Sequence, residues 1–468
     1  MKKYSYIYSA ILFFISLYFT TNIYSAEKIL IRFDNPDKQT IEKFIHGNYD
    51  IASYHPDKYL DLVIEISHYS EMLKVHPKIK ILKTEKQIKA DLHKEKDIPG
   101  YRSYAQTLAE LQQIEIDNPD ICKLYNIGKS QGKTYSEDGN SNYNTYNHNI
   151  WALKLSDNVQ IEEDEPSFYF LGAHHAREPI STEVCMEILS NMLSSYGSDA
   201  DTQKRINNSQ IWFVPIVNPD GQKAVLTELN VWWRKNIRDN DNSGSFEYLT
   251  GELPISKDGV DPNRNYDFWW GPNGTSEEPS SSVYKGPYPS SEPEIQAVKN
   301  LINSHHFIAG ITYHSYGEIV LHPFGYEYNA IPPDVNSMSV LAENLASSIP
   351  SVYGGYYTPF QSVYLYPTMG TTNDYAYGEH GIFSFTIELA NEFIPPYESA
   401  LNICNNNLSA ANILLDRVYT STLTGVISDQ VSKSPIVAKI FVEGIDDSGA
   451  FKEPYKSDEI FGRYYRFL

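Results

Sequence analysis

The chain has 468 residues, a formal net charge of −21, 21% charged residues and 13% aromatics, 37 of its residues being tyrosine. Its length exceeds one ordinary domain, and its composition belongs to a folded chain, not a disordered one. The acidic balance argues against a nucleic-acid partner, because phosphate binding needs clustered Lys and Arg.

Residues 1–26 read as a secretion signal. "MKK" is a positive start, "IYSAILFFISLYF" a short apolar core, and a cut near Ser25 or Ala26 would follow. The apolar run is too short for a comfortable membrane span, and no other stretch qualifies. The expectation is a secreted or periplasmic protein with no membrane span after signal removal. Cys122, Cys185 and Cys404 are too few for a disulfide framework and suit small buried hydrophobes.

Residues 27–86 read as a small α+β module. "KILIRFD", "YLDLVIEI" and "IKILKTE" are strands, while "KQTIEKFI" and "SEMLKVH" have helical spacing. Charged residues without apolar periodicity make 87–99 a linker, rich in lysines that suit a processing protease.

From residue 100 to about 417 strands alternate with helices. Helices are expected over 102–116, 181–196, 292–304, 335–347 and 398–415. Between them lie "SFYFLGA", "IWFVPIV", "FIAGITY" and "IFSFTIEL", unbroken apolar runs that suit strands buried on both faces. The pattern predicts an α/β domain with a central, mostly buried mixed sheet and helices on both faces. Residues 422–468 change to strand, turn and strand, a partial β-sandwich-like tail.

The chemistry is signalled by where polar residues interrupt these runs. His174 and His175 follow "FYFLGA", His314 follows "FIAGITY", and Glu388 ends "IFSFTI". In open α/β sheets ligands bind beyond the carboxyl ends of strands. Two histidines and one or two carboxylates meeting there resemble a catalytic zinc site with an open position. Any one of these alone reads as a polar loop residue; their convergence carries the inference.

His175-Ala-Arg-Glu178, "IVNPDG", "WWRKNIR", "GVDPNRNYDF", "YKGPYPSSEPE", "ITYHSYGEIVLHPFGY" and "FSFTIEL", in that order over residues 100–416, resemble the zinc metallocarboxypeptidases of the carboxypeptidase A/B and T group. The resemblance implies one zinc ion held by His175, Glu178 and His314, with Glu388 as general base. Zinc so held makes water acidic, with a pKa of about 7. It also implies Arg234 as oxyanion stabiliser, Asn263 and Arg264 as a clamp for the substrate's C-terminal carboxylate, and Tyr366 as a closing phenol. Tyr364 and Tyr375 compete with Tyr366 for that part. Arg177, Ser315 and Tyr316 would contact substrate, and Asn373 would lie at the base of the side-chain pocket. Lys235 and Arg238 read as surface charges. His174 is one residue out of register, and in extended chain that step turns a side chain to the opposite face. It should pack or hydrogen-bond away from the metal.

Three further expectations follow from the resemblance. The 27–86 module is similar to a ferredoxin-like pro-domain and would cover the site until the linker is cut. The tail resembles a transthyretin-like sandwich. The partner is a peptide or protein with a free C-terminus, handled by a monomer. Rival readings are a peptidase for cell-wall stem peptides, a deacylase relative, and a non-catalytic binding homologue. Separately, Asp239, Asp241 and Ser243 in "RDNDNSGSF" have the first spacings of a calcium loop.

Overall fold

The computed structural model describes residues 27–47, 49–92, 100–248 and 256–468. The secretion signal and the end of the linker lie outside them.

The first unit runs β1 (Lys28–Asp34), α1 (Lys38–His46), β2 (Asp50–His55), β3 (Tyr59–Glu65), α2 (Ile66–Val75), β4 (Lys80–Thr84) and α3 (Glu85–Leu92). Its strands form one antiparallel sheet in the order β2-β3-β1-β4, with Ile29, Ile31, Phe33, Leu60 and Leu62 in its core. That order and the βαββαβ sequence are ferredoxin-like. Helix α3 runs into the stretch read as linker, because Ile88 packs into the core of the second unit.

The second unit is built on eight strands: β5 (Cys122–Lys129), β6 (Asn149–Leu155), β7 (Ser167–Leu171), β8 (Gln210–Val214), β9 (Phe307–Ser315), β10 (Ile319–His322), β11 (Thr358–Gln361) and β12 (Phe383–Leu389). They hydrogen-bond in the order β11-β10-β12-β9-β7-β8-β6-β5. The central β8-β7-β9-β12 run is parallel; β6 and β10 join it antiparallel. Every residue of β7, β8 and β9 is buried, so both faces of the sheet are covered. The helices are α4 (Tyr104–Asp117), α5 (Gln131–Glu137), α6 (Ile180–Ser195), α7 (Ala200–Ile206), α8 (Pro219–Leu226), α9 (Pro293–Ser304), α10 (Val335–Ser347), α11 (Thr372–His380) and α12 (Tyr397–Asp416). Cys122, Cys185 and Cys404 are unpaired and buried.

The tail departs from a sandwich. It is a two-stranded ribbon, β13 (Thr422–Val426) with β14 (Arg463–Phe467), joined by a long irregular segment. Val431, Phe441 and Phe451 of that segment are exposed, so it makes no core of its own. It is anchored instead on the second unit. Phe467 meets Phe383 edge-on, and buried Arg466 pairs with Asp334 at 2.5 Å and Asp446 at 2.8 Å.

A buried polar layer supports the segment that carries Arg234. Glu292 accepts from Asn236 Nδ2 at 2.7 Å, and Asn236 Oδ1 accepts from the Val260 backbone N–H at 2.8 Å. Glu294 accepts from the Gln131 N–H at 2.7 Å. Burial pushes the Glu294 carboxyl up to about 8, with Asp220 and Glu292 adding to the rise.

Two expected outcomes follow. Arg466→Ala strips Asp334 of its cation and should destabilise by about 3–5 kcal/mol in urea unfolding. A change under about 1 kcal/mol would show that the tail clamp is idle. Glu294 is raised from 4.5 to about 8, so its contribution is full below the unfolded value and is lost as pH rises through the folded one. Glu294→Gln removes that titration, so its stability should decline less than wild type between pH 5 and 9 (roughly the window set by the shift). Parallel pH profiles would contradict the assignment.

Candidate metal centre and active site

Three strand ends build the site. Strand β7 stops at Leu171, and the chain turns sharply through Gly172 and Ala173. A Cβ on Gly172 would lie 2.5 Å from the Ser181 carbonyl oxygen, so only glycine fits. Ala173 is left-handed, with φ of 51°, a conformation that costs an L-residue about 1–2 kcal/mol. This strain aims the next two histidines in different directions. In the parallel register of β9 and β12, His314 lies beside Glu388.

His175, Glu178 and His314 come together, their donor atoms all within 4.8 Å of one another. Glu178 Oε1 is 2.9 Å from His175 Nδ1, and Glu178 Oε2 is 2.9 Å from His314 Nδ1. The two Nδ1 atoms are themselves 3.0 Å apart. One proton can bridge a single edge of this triangle, whereas a dication at its centre would satisfy all three donors. Nitrogen and carboxylate oxygen are also the donor types zinc takes. Burial, then Arg234, lowers the His175 pKa and keeps the ring neutral, as a metal ligand must be. Burial opposes the charge on Glu178, yet the two histidines hold it well below the usual carboxylate range. The residues fit zinc.

His174 stands apart, with Nε2 2.9 Å from the Tyr266 hydroxyl and Nδ1 3.2 Å from Thr312 Oγ1. Burial, then the two neighbouring histidines, lowers its pKa well below the ordinary value.

Asp261 was not among the residues expected in the site. It is fully buried, 3.1 Å from His175 Nε2, and it accepts from Arg234 Nε at 2.9 Å. It therefore fixes both the ring orientation of His175 and the position of the guanidinium. The clue was present in "GVDPNR", where an acid opens the turn, and Asp261 caps that turn by accepting from the Asn263 N–H at 2.9 Å.

One cavity joins these parts. It is lined by His175, Glu178, Arg234, Asn263, Arg264, Ser315, Tyr316, Tyr366, Asn373 and Glu388. Arg264 is fixed by donating to the carbonyls of Gly274 and Asn263, each at 2.8 Å. Asn263 Oδ1 is held by the Thr372 N–H at 2.9 Å. Glu388 has no hydrogen-bond partner among the described residues, and burial pushes its carboxyl up to about 7, His314 opposing. Of the competing tyrosines only Tyr366 lines the cavity; Tyr364 is exposed and Tyr375 is bonded to Asn303.

Three expectations are corrected. Lys235 is buried, its ammonium donating to the Pro279 carbonyl at 2.6 Å, and burial lowers its pKa to about 7. Arg238 is half-buried against Glu292, 3.1 Å away, so neither cation is a surface charge. In the acidic loop, Asp239 and Asp241 accept from the Ser243 N–H, and Asp239 also from Gly244. Ser243 Oγ donates to the Ser245 carbonyl, so the loop spends its oxygens on itself and calcium is not supported.

Arg177 does not reach Glu178. Its guanidinium makes two parallel bonds, 2.7 and 2.8 Å, to Asp50 of the first unit, and lies 4.4 Å over the Phe393 ring. Ser53 Oγ donates to the Tyr316 carbonyl at 2.7 Å, and the Tyr316 hydroxyl donates to Asp61 at 2.5 Å. Ile51, Ala52, Ser53 and Tyr54 line the same cavity as the metal cluster.

Known proteins resemble this chain in sequence and in fold. The sequence profile of the zinc carboxypeptidases matches residues 107–410. A zinc carboxypeptidase of Saccharothrix mutabilis subsp. capreolus is 31% identical over 304 residues, 62% of this chain and 62% of its own length. Carboxypeptidase A2 of Mus musculus is 31% identical over 293 residues, again 62% of each chain. This chain thus spans under two thirds of the length of these relatives. Among solved structures, carboxypeptidase A from Helicoverpa armigera matches with a TM-score of 0.67 at 19% identity, over 84% of this chain and 97% of its own. Thrombin activatable fibrinolysis inhibitor matches with a TM-score of 0.67 at 21% identity, over 84% and 99%. At such identities the likeness is one of fold. With the profile covering more than half the sequence, the chain belongs to the zinc carboxypeptidase family.

Proposed function

We propose that this chain is an exported, zinc-dependent carboxypeptidase, made in a latent form, that removes C-terminal residues from peptides or proteins. The observation that carries the reading is the His175–Glu178–His314 cluster in one cavity with Glu388, Arg234, Asn263, Arg264 and Tyr366.

In this reading the cluster holds one zinc ion. When bound, zinc supplies Lewis acidity at that end of the cavity. Glu388 takes a proton from the attacking water and delivers it to the leaving amine; a carboxyl near 7 suits both transfers at neutral pH. Arg234, steadied by Asp261, stabilises the negative charge that grows on the scissile carbonyl oxygen. Arg264 receives the terminal carboxylate beside the Asn263 amide, since a guanidinium matches a carboxylate through parallel hydrogen bonds. Tyr366 closes over the bound residue. Arg177, Ser315 and Tyr316 contact the preceding residues of the substrate, and Asn373 meets its last side chain.

The first unit is a cover in this reading. Asp50 gives Arg177 the carboxylate partner that leaves it no pair of donors for substrate, and Ser53 holds the Tyr316 carbonyl. Cutting between the units frees the cavity. Export rests on the reading of residues 1–26; among the described residues no helix is long and apolar enough to cross a membrane.

Metal analysis tests the site. His175→Ala and His314→Ala should lose zinc, while His174→Ala retains it. Glu388→Gln should keep zinc yet turn over roughly 10²–10⁴-fold more slowly. Zinc lost only from His174→Ala would move the ligand set. For latency, limited trypsin treatment of the zinc-loaded chain should raise hydrolysis of a C-terminal peptide, and Asp50→Ala should raise it before any cut. Equal activity in all three samples would exclude a covering role.

A further inference from the structure

The floor of the cavity carries information that the catalytic reading does not use. Beyond the catalytic groups, the lining includes Ile319, Leu321, Thr368, Thr371, Thr386 and Asn373, all uncharged. On β12, Ser384, Thr386 and Glu388 alternate onto one face. Ser384 therefore lies about 13 Å along the strand from Glu388. At that end Ser384 Oγ donates to Asn373 Oδ1 at 3.0 Å, and the Tyr169 hydroxyl donates to Ser384 Oγ at 2.7 Å.

The direction of this chain follows from Tyr169. Its hydroxyl is fully buried and has Ser384 as its one hydrogen-bond partner among the described residues. A buried O–H must donate or lose a hydrogen bond worth about 1 kcal/mol or more. Tyr169 thus spends its proton on Ser384, Ser384 spends its own on Asn373, and the Asn373 carbonyl is the end that receives it. The ring cannot swing away: it fills the space where a Cβ on Gly310 would lie 2.3 Å from it. Asn373 Nδ2 is left with no partner among the described residues, on a side chain that lines the cavity.

We infer that Tyr169 and Ser384 lock the Asn373 amide with its N–H₂ facing the cavity, so that the pocket selects a C-terminal residue whose side chain ends in a neutral carbonyl, glutamine or asparagine. This rests on the carboxypeptidase reading of the site. An ammonium or guanidinium end would meet this donor with no carboxylate beside it. An acidic end would meet it with no nearby cation, because the guanidiniums lining the cavity, Arg234 and Arg264, are tied at the catalytic end. An aliphatic end would leave the N–H₂ buried and unpaired, which is costly. Tyr169 and Ser384 are positioning residues; neither lines the cavity.

The test uses the zinc-loaded full chain after limited trypsin cleavage. N-blocked dipeptides are compared in near-isosteric pairs, ending in Gln or Met and in Asn or Leu, with Glu and Lys as charged controls. The amide member of at least one pair should be favoured by about tenfold in kcat/KM, the value of one hydrogen bond to a neutral group. Tyr169→Phe or Ser384→Ala should bring that ratio to about threefold or less, through KM for the amide peptide and not kcat. Asn373→Asp should shift preference to Lys. Met and Leu preferred over both amides, or an amide preference untouched by both positioning variants, overturns the inference. Failure to cleave any peptide would instead sink the peptidase reading. Calorimetric binding of benzoyl-Gln against benzoyl-Met, which needs no turnover, then still decides the pocket: equal affinity or stronger binding of benzoyl-Met counts against the lock.

Discussion

A carboxylate squeezed between two imidazoles is the constraint around which this molecule is arranged. Glu178 is buried, and burial alone would drive its proton on. It stays charged because His175 and His314 press against it from separate strands. Bringing such groups together costs desolvation, and the sheet is what makes the approach possible. Parallel strands β7, β9 and β12 deliver their carboxyl ends to one edge, where the last residues leave the ladder with side chains free to converge. Strain at Ala173 and a sterically closed glycine at position 172 complete the turn. The scaffold is rigid because its core strands are buried on both faces, and the site inherits that rigidity.

A second layer of buried polar groups does the aiming. Asp261 touches both His175 and Arg234, and Asn236 is pinned by Glu292 below and Val260 beside it. These contacts make the 234–238 segment part of the core, which is why Lys235 is buried although its neighbours in sequence look like an exposed basic run. A charge pattern alone cannot tell a solvated face from a buried one; the distant partners decide it, the Pro279 carbonyl for Lys235 and Glu292, at the start of α9, for Arg238.

The legible parts of the sequence were those with a local signature. Unbroken apolar runs marked the buried strands, periodicity marked α4, α6, α9, α10 and α12 to within a residue or two, and polar residues at strand ends marked the cluster. The illegible parts depend on partners distant in the chain. Strand β2 was absent from the strands read in the first unit, since "DIASYH" has neither clean alternation nor a dense apolar run. The reason is now visible: it pairs on one edge only and turns Asp50 and Ser53 toward the second unit. The tail's strands pair with each other, and its buried residues, among them Tyr455, Arg466 and Phe467, find burial against the second unit. Asp261 was passed over because the resemblance in "DPNRNY" gave roles to Asn263 and Arg264 and none to it.

The first unit and the floor of the cavity solve one problem in two ways. Each must present a partner to a group that burial has deprived of water. At the mouth the partner is a full charge, Asp50 against Arg177, in a bidentate geometry. In the proposed reading such a pair is exchanged, because a peptide offers acceptors of its own. At the floor, Asn373 is held by neutral hydrogen bonds that end in the closed core at Tyr169, and no competitor reaches them. In the proposed reading, replaceable contacts lie where the molecule has to open, and irreplaceable ones where it has to discriminate. The distinction follows from attachment: Asp50 is carried on β2, an edge strand of the first unit, whereas Tyr169 is sealed in the core of the unit that carries Asn373, and its packed ring keeps the orientation that folding gave it.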